Sequence, residues 1–287
     1  PSHAAAPRRD ATERRLVAES ISMASHLLLA LPGALAIGIS LGLLGSGGSI
    51  LTVPVLHYLL GQPEKVAIGG SLLVVGLIAL AACIPYARRR QVDWPNVLWF
   101  GGPGMAGAWA GASLATIVPG ALQMALFAAV MLLAAWRMLT ASALEPERAL
   151  PQRWAVVAGG TAVGLLSGLV GVGGGFLIVP ALVLLAGVGM ANAVGTSLAI
   201  ISMNAFAGFA RYVGVLQDQE LQLNWPLLLI VAAVGIAGSL LGGRLGRKLP
   251  QRTLRRLFGI SLLLMGAFIA LDSVPAVLQK LGHLSTN

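Results

Sequence analysis

Apolar residues run along this chain in stretches of about 20, the length that crosses roughly 30 Å of hydrocarbon as helix. They fall at 22–44, 66–86, 97–117, 120–140, 154–170, 190–210, 226–243 and 257–271, separated by short polar or basic segments. Two further apolar pieces, 50–60 and 176–186, would rise only about 17 Å as helix, so neither spans alone. Each either re-enters and leaves on one side, or crosses together with the glycine-rich stretch before it. Both options bury the irregular backbone in protein or against a wet cavity, because lipid offers it no hydrogen bonds. The pattern predicts an all-α polytopic membrane protein.

The two short pieces follow one glycine motif that occurs twice. Laid over each other without a gap, residues 42–72 and 168–198 are identical at 15 of 31 positions. Gly42, Gly45, Gly47, Gly48, Pro54 and Leu56 return as Gly168, Gly171, Gly173, Gly174, Pro180 and Leu182, and Ser71-Leu72 returns as Ser197-Leu198. At an offset of 131 the likeness continues: Trp94-Pro95 meets Trp225-Pro226, Gly104 meets Gly235, Gly107 meets Gly238 and Gly111 meets Gly242. The chain is an internal duplication. Glycines spaced by three or four suit close helix packing in lipid. Gly45, Pro54, Gly171 and Pro180 are the expected helix breakers, and Gly61 and Gly187 suit helix C-termini. Interrupted helices at corresponding places in two repeats are the sequence sign of a transporter with its substrate site near mid-membrane.

Composition agrees with this reading. Of 287 residues 57% are hydrophobic and 10% charged, where a soluble domain has about 25% charged. The expected organisation is a basic, flexible extension over 1–20, a first repeat over 21–140, a linker over 141–153, a second repeat over 154–272 and a tail over 273–287. If each short piece crosses, a half has five crossings and the second copy is inverted; if each re-enters, the count is four and the copies are parallel. With five crossings and the N-terminus outside, Arg88 to Arg90, the linker with Arg148 and Arg153, and Arg244, Arg247, Lys248 and Arg252 all face the cytoplasm, as basic loops do. Only Arg8, Arg9, Arg14 and Arg15 dissent. An inverted five-plus-five arrangement is therefore expected, with the two glycine-rich broken helices meeting near mid-membrane. The net charge of +9 lies in short loops beside apolar segments and calls for no nucleic-acid partner. A single cysteine, Cys83, excludes an intrachain disulfide and a cysteine metal cluster. No metal, cofactor or enzyme activity is expected, and the partners are the lipid bilayer and a small anion.

The paired motif G-x-x-G-x-G-G-[GS]-x-x-x-x-P-x-L, each copy followed by G-[GT]-S-L, resembles the TauE/SafE family of sulfite exporters over residues 36–271. The resemblance implies a secondary transporter for small sulfur-containing anions such as sulfite, sulfoacetate or related organosulfonates. The competing reading is a transporter of another small anion, a carboxylate or an imported sulfur species, since backbone N–H groups bind both by the same physics, with a membrane scaffold behind it. The protein is expected to be a multi-pass protein of a bacterial inner membrane.

The chemistry of the motif points to an anion on its own terms. A helix that starts in mid-membrane offers free backbone N–H groups and the positive end of its dipole, and glycine lets an oxyanion approach with no Cβ in the way. The candidate substrate-binding residues are Ser46, Gly47, Gly48, Ser49, Gly173, Gly174, Gly175, Ser71, Thr196, Ser197 and His57, with Thr52, Asn192 and Asn204 as further donors. Ser71 and Ser197 serve equally well as helix N-caps. His57 is either an asymmetric substrate contact or a hydrogen-bonded interior histidine. Arg137 and Arg211 are expected to reach the membrane interface. The apolar cores hold no Asp, Glu or Lys, which favours anion flow down its gradient over a carboxylate proton relay.

Overall fold

The structure, a computed structural model, describes residues 31–43, 45, 47–140, 153–171, 175–186, 188, 190–246, 253, 256, 260 and 263–271. Ser46, Gly173, Gly174, Gly187, Arg247, Lys248, Arg252, the extension over 1–20, the tail over 273–287 and all of the linker but Arg153 lie outside the described residues.

The described residues form helices in the predicted order. α1 (Leu31–Leu43) leads into the first motif. α2 (Gly48–Pro54) opens after it and continues as a π-turn (Val55–Leu59) beyond Pro54, whose missing N–H disrupts the α ladder. Gly61 follows with φ +62°, as a helix terminus requires. α3 (Glu64–Arg88) comes next. α4 (Trp94–Asn96) passes through a π-turn (Val97–Gly101) into α5 (Gly102–Leu114). α6 (Gly120–Thr140) closes the first half.

The second half repeats the order with α7 (Arg153–Val170), α8 (Gly175–Leu185), α9 (Met190–Asp218), α10 (Trp225–Gly246) and helical residues 263–271. Even the caps recur. Asp93 Oδ1 accepts from Asn96 N at 3.2 Å, and its counterpart Asn224 Oδ1 accepts from Leu227 N at 3.2 Å, each just ahead of a Trp-Pro helix start.

Four of these helices are long and apolar enough to cross a bilayer: α3, α7, α9 from Asn192 onward, and α10. Exposed apolar side chains on these and the other helices fit lipid. Leu98, Leu133, Leu229 and Leu264 are exposed, as are Trp94, Trp99, Trp136, Trp154 and Trp225, the amphipathic residues that settle at membrane interfaces.

The halves interlock through reciprocal contacts. α1 lies along α10 in the same direction, Gly38 against Gly235 and Gly42 against Ser239; α7 lies along α5 likewise, Gly164 against Gly104 and Gly168 against Ala108. Each pair on one side maps onto the pair on the other by the offsets 126 and 131. Backbone meets backbone at these points, which only glycine permits. α3 and α9, the two centre helices, pass in opposite directions: Gly69 faces Tyr212, Gly76 faces Phe206, and Cys83 Sγ lies 3.8 Å from the Gly195 carbonyl.

Lys65, at the edge of an apolar stretch, closes the end of α5 by donating to the carbonyls of Ala115 and of Val118 (2.7 Å), a cation on a helix C-terminus. Arg211 does not snorkel freely: its Nε donates to Ser113 Oγ at 2.9 Å.

Candidate substrate path

Each motif breaks its helix at its second glycine, which takes a left-handed backbone that favours glycine. α1 ends where Gly45 N donates to Leu41 O, and Gly45 turns left-handed at φ +69°; Gly171 N donates to Ser167 O and turns at φ +79°. A Cβ on Gly45 would stand 2.6 Å from Val194 Cγ1, and one on Gly171 2.7 Å from Ile68 Cγ2. Val194 and Ile68 are themselves equivalent positions.

Two serines hold these turns across the halves. Ser197 Oγ lies 3.1 Å from Gly45 O and 2.8 Å from Val194 O; Ser71 Oγ pairs with Gly171 O and lies 2.7 Å from Ile68 O. A hydroxyl has one proton, so each serine donates to one carbonyl at a time. Both stand inside their helices, Ser71 in α3 from Glu64 and Ser197 in α9 from Met190, so neither is an N-cap. They join each half to the other half's motif.

After the first break, α2 starts at Gly48 on α1: a Cβ there would stand 2.8 Å from Leu41 N. Gly47, the cap residue of α2, supplies no side-chain acceptor to its first turn. Gly47, Gly48 and Ser49 are buried, as is Gly175 at the start of α8. Thr52 is buried and donates to Gly48 O at 3.0 Å. Thr196 Oγ1 accepts from Asp93 N at 2.9 Å and donates to Asn192 O at 2.7 Å, which ties α9 to the loop before α4. His57 Nδ1 lies 2.8 Å from Gln62 O and its ring packs edge-on against Tyr58, so it braces the turn after the π-segment.

The short helices of the two motifs meet, while their glycine turns lie apart. Ser197 holds Gly45, whereas Gly208, 11 residues along α9 (197 to 208), packs on Leu72 and on Gly168, three residues before Gly171. The levels of Gly45 and Gly168 therefore stand about 16 Å apart along α9, one toward each end. α2 and α8 touch each other between them. The reason is the antiparallel passage of α3 and α9, which carries equivalent positions toward opposite ends.

Sequence reasoning overlooked two interior groups and undervalued a third. Among the described residues, Asn204 Nδ2 and Oδ1, Ser167 Oγ and Gln123 Nε2 are buried with no hydrogen-bond partner. Helical spacing was the available signal for Asn204, which lies seven residues from Ser197 on the same face of α9.

A duplicated, lipid-faced helical array with two interrupted helices held inside it is a polytopic membrane transporter. The chain belongs to the TauE/SafE sulfite exporter family, whose description "Sulfite exporter TauE/SafE" it matches over residues 30–269. It is 32% identical over 241 residues to a "probable membrane transporter protein" of Xylella fastidiosa, covering 81% of this chain and 90% of that one. It is 29% identical over 258 residues to the "probable membrane transporter protein YunE" of Bacillus subtilis, with 81% and 93% covered. A Methanocaldococcus jannaschii protein of the same description is 26% identical over 266 residues, with 88% and 99% covered. No solved structure matches.

Proposed function

We propose that this transporter exports small sulfur-containing anions such as sulfite, sulfoacetate or related organosulfonates, and that its halves are inverted, five segments each. Backbone N–H groups of the two motifs, at Ser46 to Ser49 and at Gly173 to Gly175, seat the anion, one seat nearer each face. The observation that carries the reading is the pair of buried helix starts at Gly48 and Gly175, each beside a glycine break held by the opposite half. Anions are favoured at such starts.

The buried charged and polar side chains among the described residues are Ser49, Thr52, Lys65, Ser71, Gln123, Ser167, Thr196, Ser197, Ser202, Asn204 and Ser239, with no carboxylate. That interior suits anion passage and gives a carboxylate proton relay no described carrier. An inside-negative potential then drives the anion outward, at about 2.3 kcal/mol per charge per 100 mV. The opposite directions of α3 and α9 support the inverted arrangement, because two spanning equivalents that run oppositely have opposite topology.

Uptake of radiolabelled sulfite and sulfoacetate into proteoliposomes tests the proposal, with a carboxylate control and an imposed potential. The expected result is saturable sulfur-anion flux that follows the potential, ignores the carboxylate and disappears in Gly47→Leu while that variant still inserts. Carboxylate flux in place of sulfur-anion flux would reassign the substrate. An undiminished rate in Gly47→Leu would remove the site from the motif.

A further inference from the structure

The strongest unexplained feature inside the molecule is the carboxamide of Asn204. The side chain is fully buried, and both of its polar atoms lack a partner among the described residues. It stands midway along α9 (Met190–Asp218), the longest helix and one of those able to span. An unpaired amide at that depth is costly in hydrocarbon, and polar groups retained there mark a path for a solute.

Its position in the fold fits such a path. One face of α9 carries Ser197, Asn204 and Gly208 at helical spacing. Ser197 touches the first motif at Gly45, and Gly208 touches the second at its first glycine, Gly168. Asn204 therefore lies between these two contacts, about 10 Å along α9 from the level of Gly45 and about 6 Å from the level of Gly168. It rests on Gly104 of α5, where a Cβ would stand 2.7 Å from Oδ1. Ser167, whose hydroxyl is also buried and unpartnered, precedes Gly168.

The duplication supplies an internal control. Asn204 corresponds to Ile78 at the offset of 126, and Gly104 to Gly235 at 131; Ile78 stands against Gly235 as Asn204 stands against Gly104. The fold accepts an apolar side chain at this place. A carboxamide here thus answers to something other than packing.

We propose that Asn204 contacts the transported anion between the two seats and selects anions that carry a hydrogen-bond donor of their own. This rests on the transport reading above. Selection follows from hydrogen-bond satisfaction: Nδ2 donates and Oδ1 only accepts. A bare oxyanion satisfies Nδ2 and leaves Oδ1 stranded. An anion with a hydroxyl or ammonium group satisfies both, and a site built for such a group discriminates strongly against the analogue that lacks it.

Two matched pairs test this, 2-hydroxyethanesulfonate against ethanesulfonate and glycolate against acetate, each as a labelled substrate and as a competitor of sulfite uptake in proteoliposomes. The wild-type protein should prefer the hydroxylated member of the pair it handles by about tenfold or more. Asn204→Ile should bring the two members level, with the greater loss falling on the hydroxylated one, and melt no lower than wild type, since it removes a stranded amide. Asn204→Val gives the same reading should isoleucine fit poorly.

Equal handling of both members by wild type would overturn the inference and leave the transporter reading intact, as would sulfite uptake that none of the four competes with. An undiminished preference in Asn204→Ile, or a lower melting temperature with the preference kept, would make the residue structural. No flux of sulfite or of any of the four would instead sink the transport reading, and this inference with it.

Discussion

Gly164→Leu and Gly38→Leu are each expected to prevent the protein from accumulating in a folded, monodisperse form. A Cβ at Gly164 would stand 2.7 Å from the carbonyl carbon of Gly104, and one at Gly38 would stand 2.8 Å from that of Gly235. Real contacts of this kind need more than 3 Å, and the opposing atoms are backbone of a neighbouring helix that no rotamer change can move. Overpacking in a responsive core costs about 1–3 kcal/mol. Here α7 must leave α5, or α1 must leave α10, along their length, so the loss should exceed that range. Gly102 on the same α5 segment is exposed and has open space around it. Gly102→Leu should therefore stay within about 1 kcal/mol of wild type, since leucine is the better helix former. Thermal melts and size-exclusion profiles of the three variants in detergent decide the matter. A stable Gly164→Leu protein would mean that α5 and α7 do not pack as described.

Ser71→Val and Ser197→Val should each lower stability by about 1–3 kcal/mol, the cost of stranding a buried carbonyl. For a chain of this size that is a fall in Tm of several degrees, at about 2–4 °C per kcal/mol. Because Ser71 and Ser197 hold equivalent carbonyls of opposite halves, their effects should be similar in size. The two sites share no partner, so the double variant should show the sum. Transport should fall in both, because each clamp fixes the turn from which a short helix starts. Melting temperatures and rates unchanged in both would contradict the cross-half clamp. A loss of transport with unchanged stability would return the two hydroxyls to the list of substrate donors.

Much of this architecture was legible in the residues. Four spanning helices, α3, α7, α9 and α10, were, because lipid demands about 20 apolar residues whatever the packing partner. The duplication was visible in the motif itself, and the spacing of Gly104, Gly107 and Gly111 announced a face open to a neighbouring helix. The identity of that neighbour was not, since a glycine carries no mark of what it faces. Ser71 and Ser197 read as helix caps or ligand donors because a hydrogen bond to the other half has no local signature. The separation of the two breaks was hidden for the same reason: how far α9 slides past α3 is set by side-chain packing, such as Tyr212 on Gly69 and Phe206 on Gly76. Asn204 stood among the candidates only for its place in the chain. That its carboxamide lacks a partner emerged when α5 and Gly104 were placed against it.

The proposed inverted relation of the halves underlies the proposed two-seat path, and one labelling experiment tests it most directly. Arg89 follows α3 and Gln219 follows α9, both exposed in equivalent turns whose neighbours Arg90 and Glu220 share left-handed backbone at φ +56° and +55°. Cysteine placed at either position, with Cys83 replaced by alanine, is treated with a membrane-impermeant maleimide from one side of the membrane at a time. The account predicts that Arg89→Cys labels from the cytoplasmic side alone and Gln219→Cys from the outer side alone. Labelling of both from the same side would make the halves parallel and contradict it.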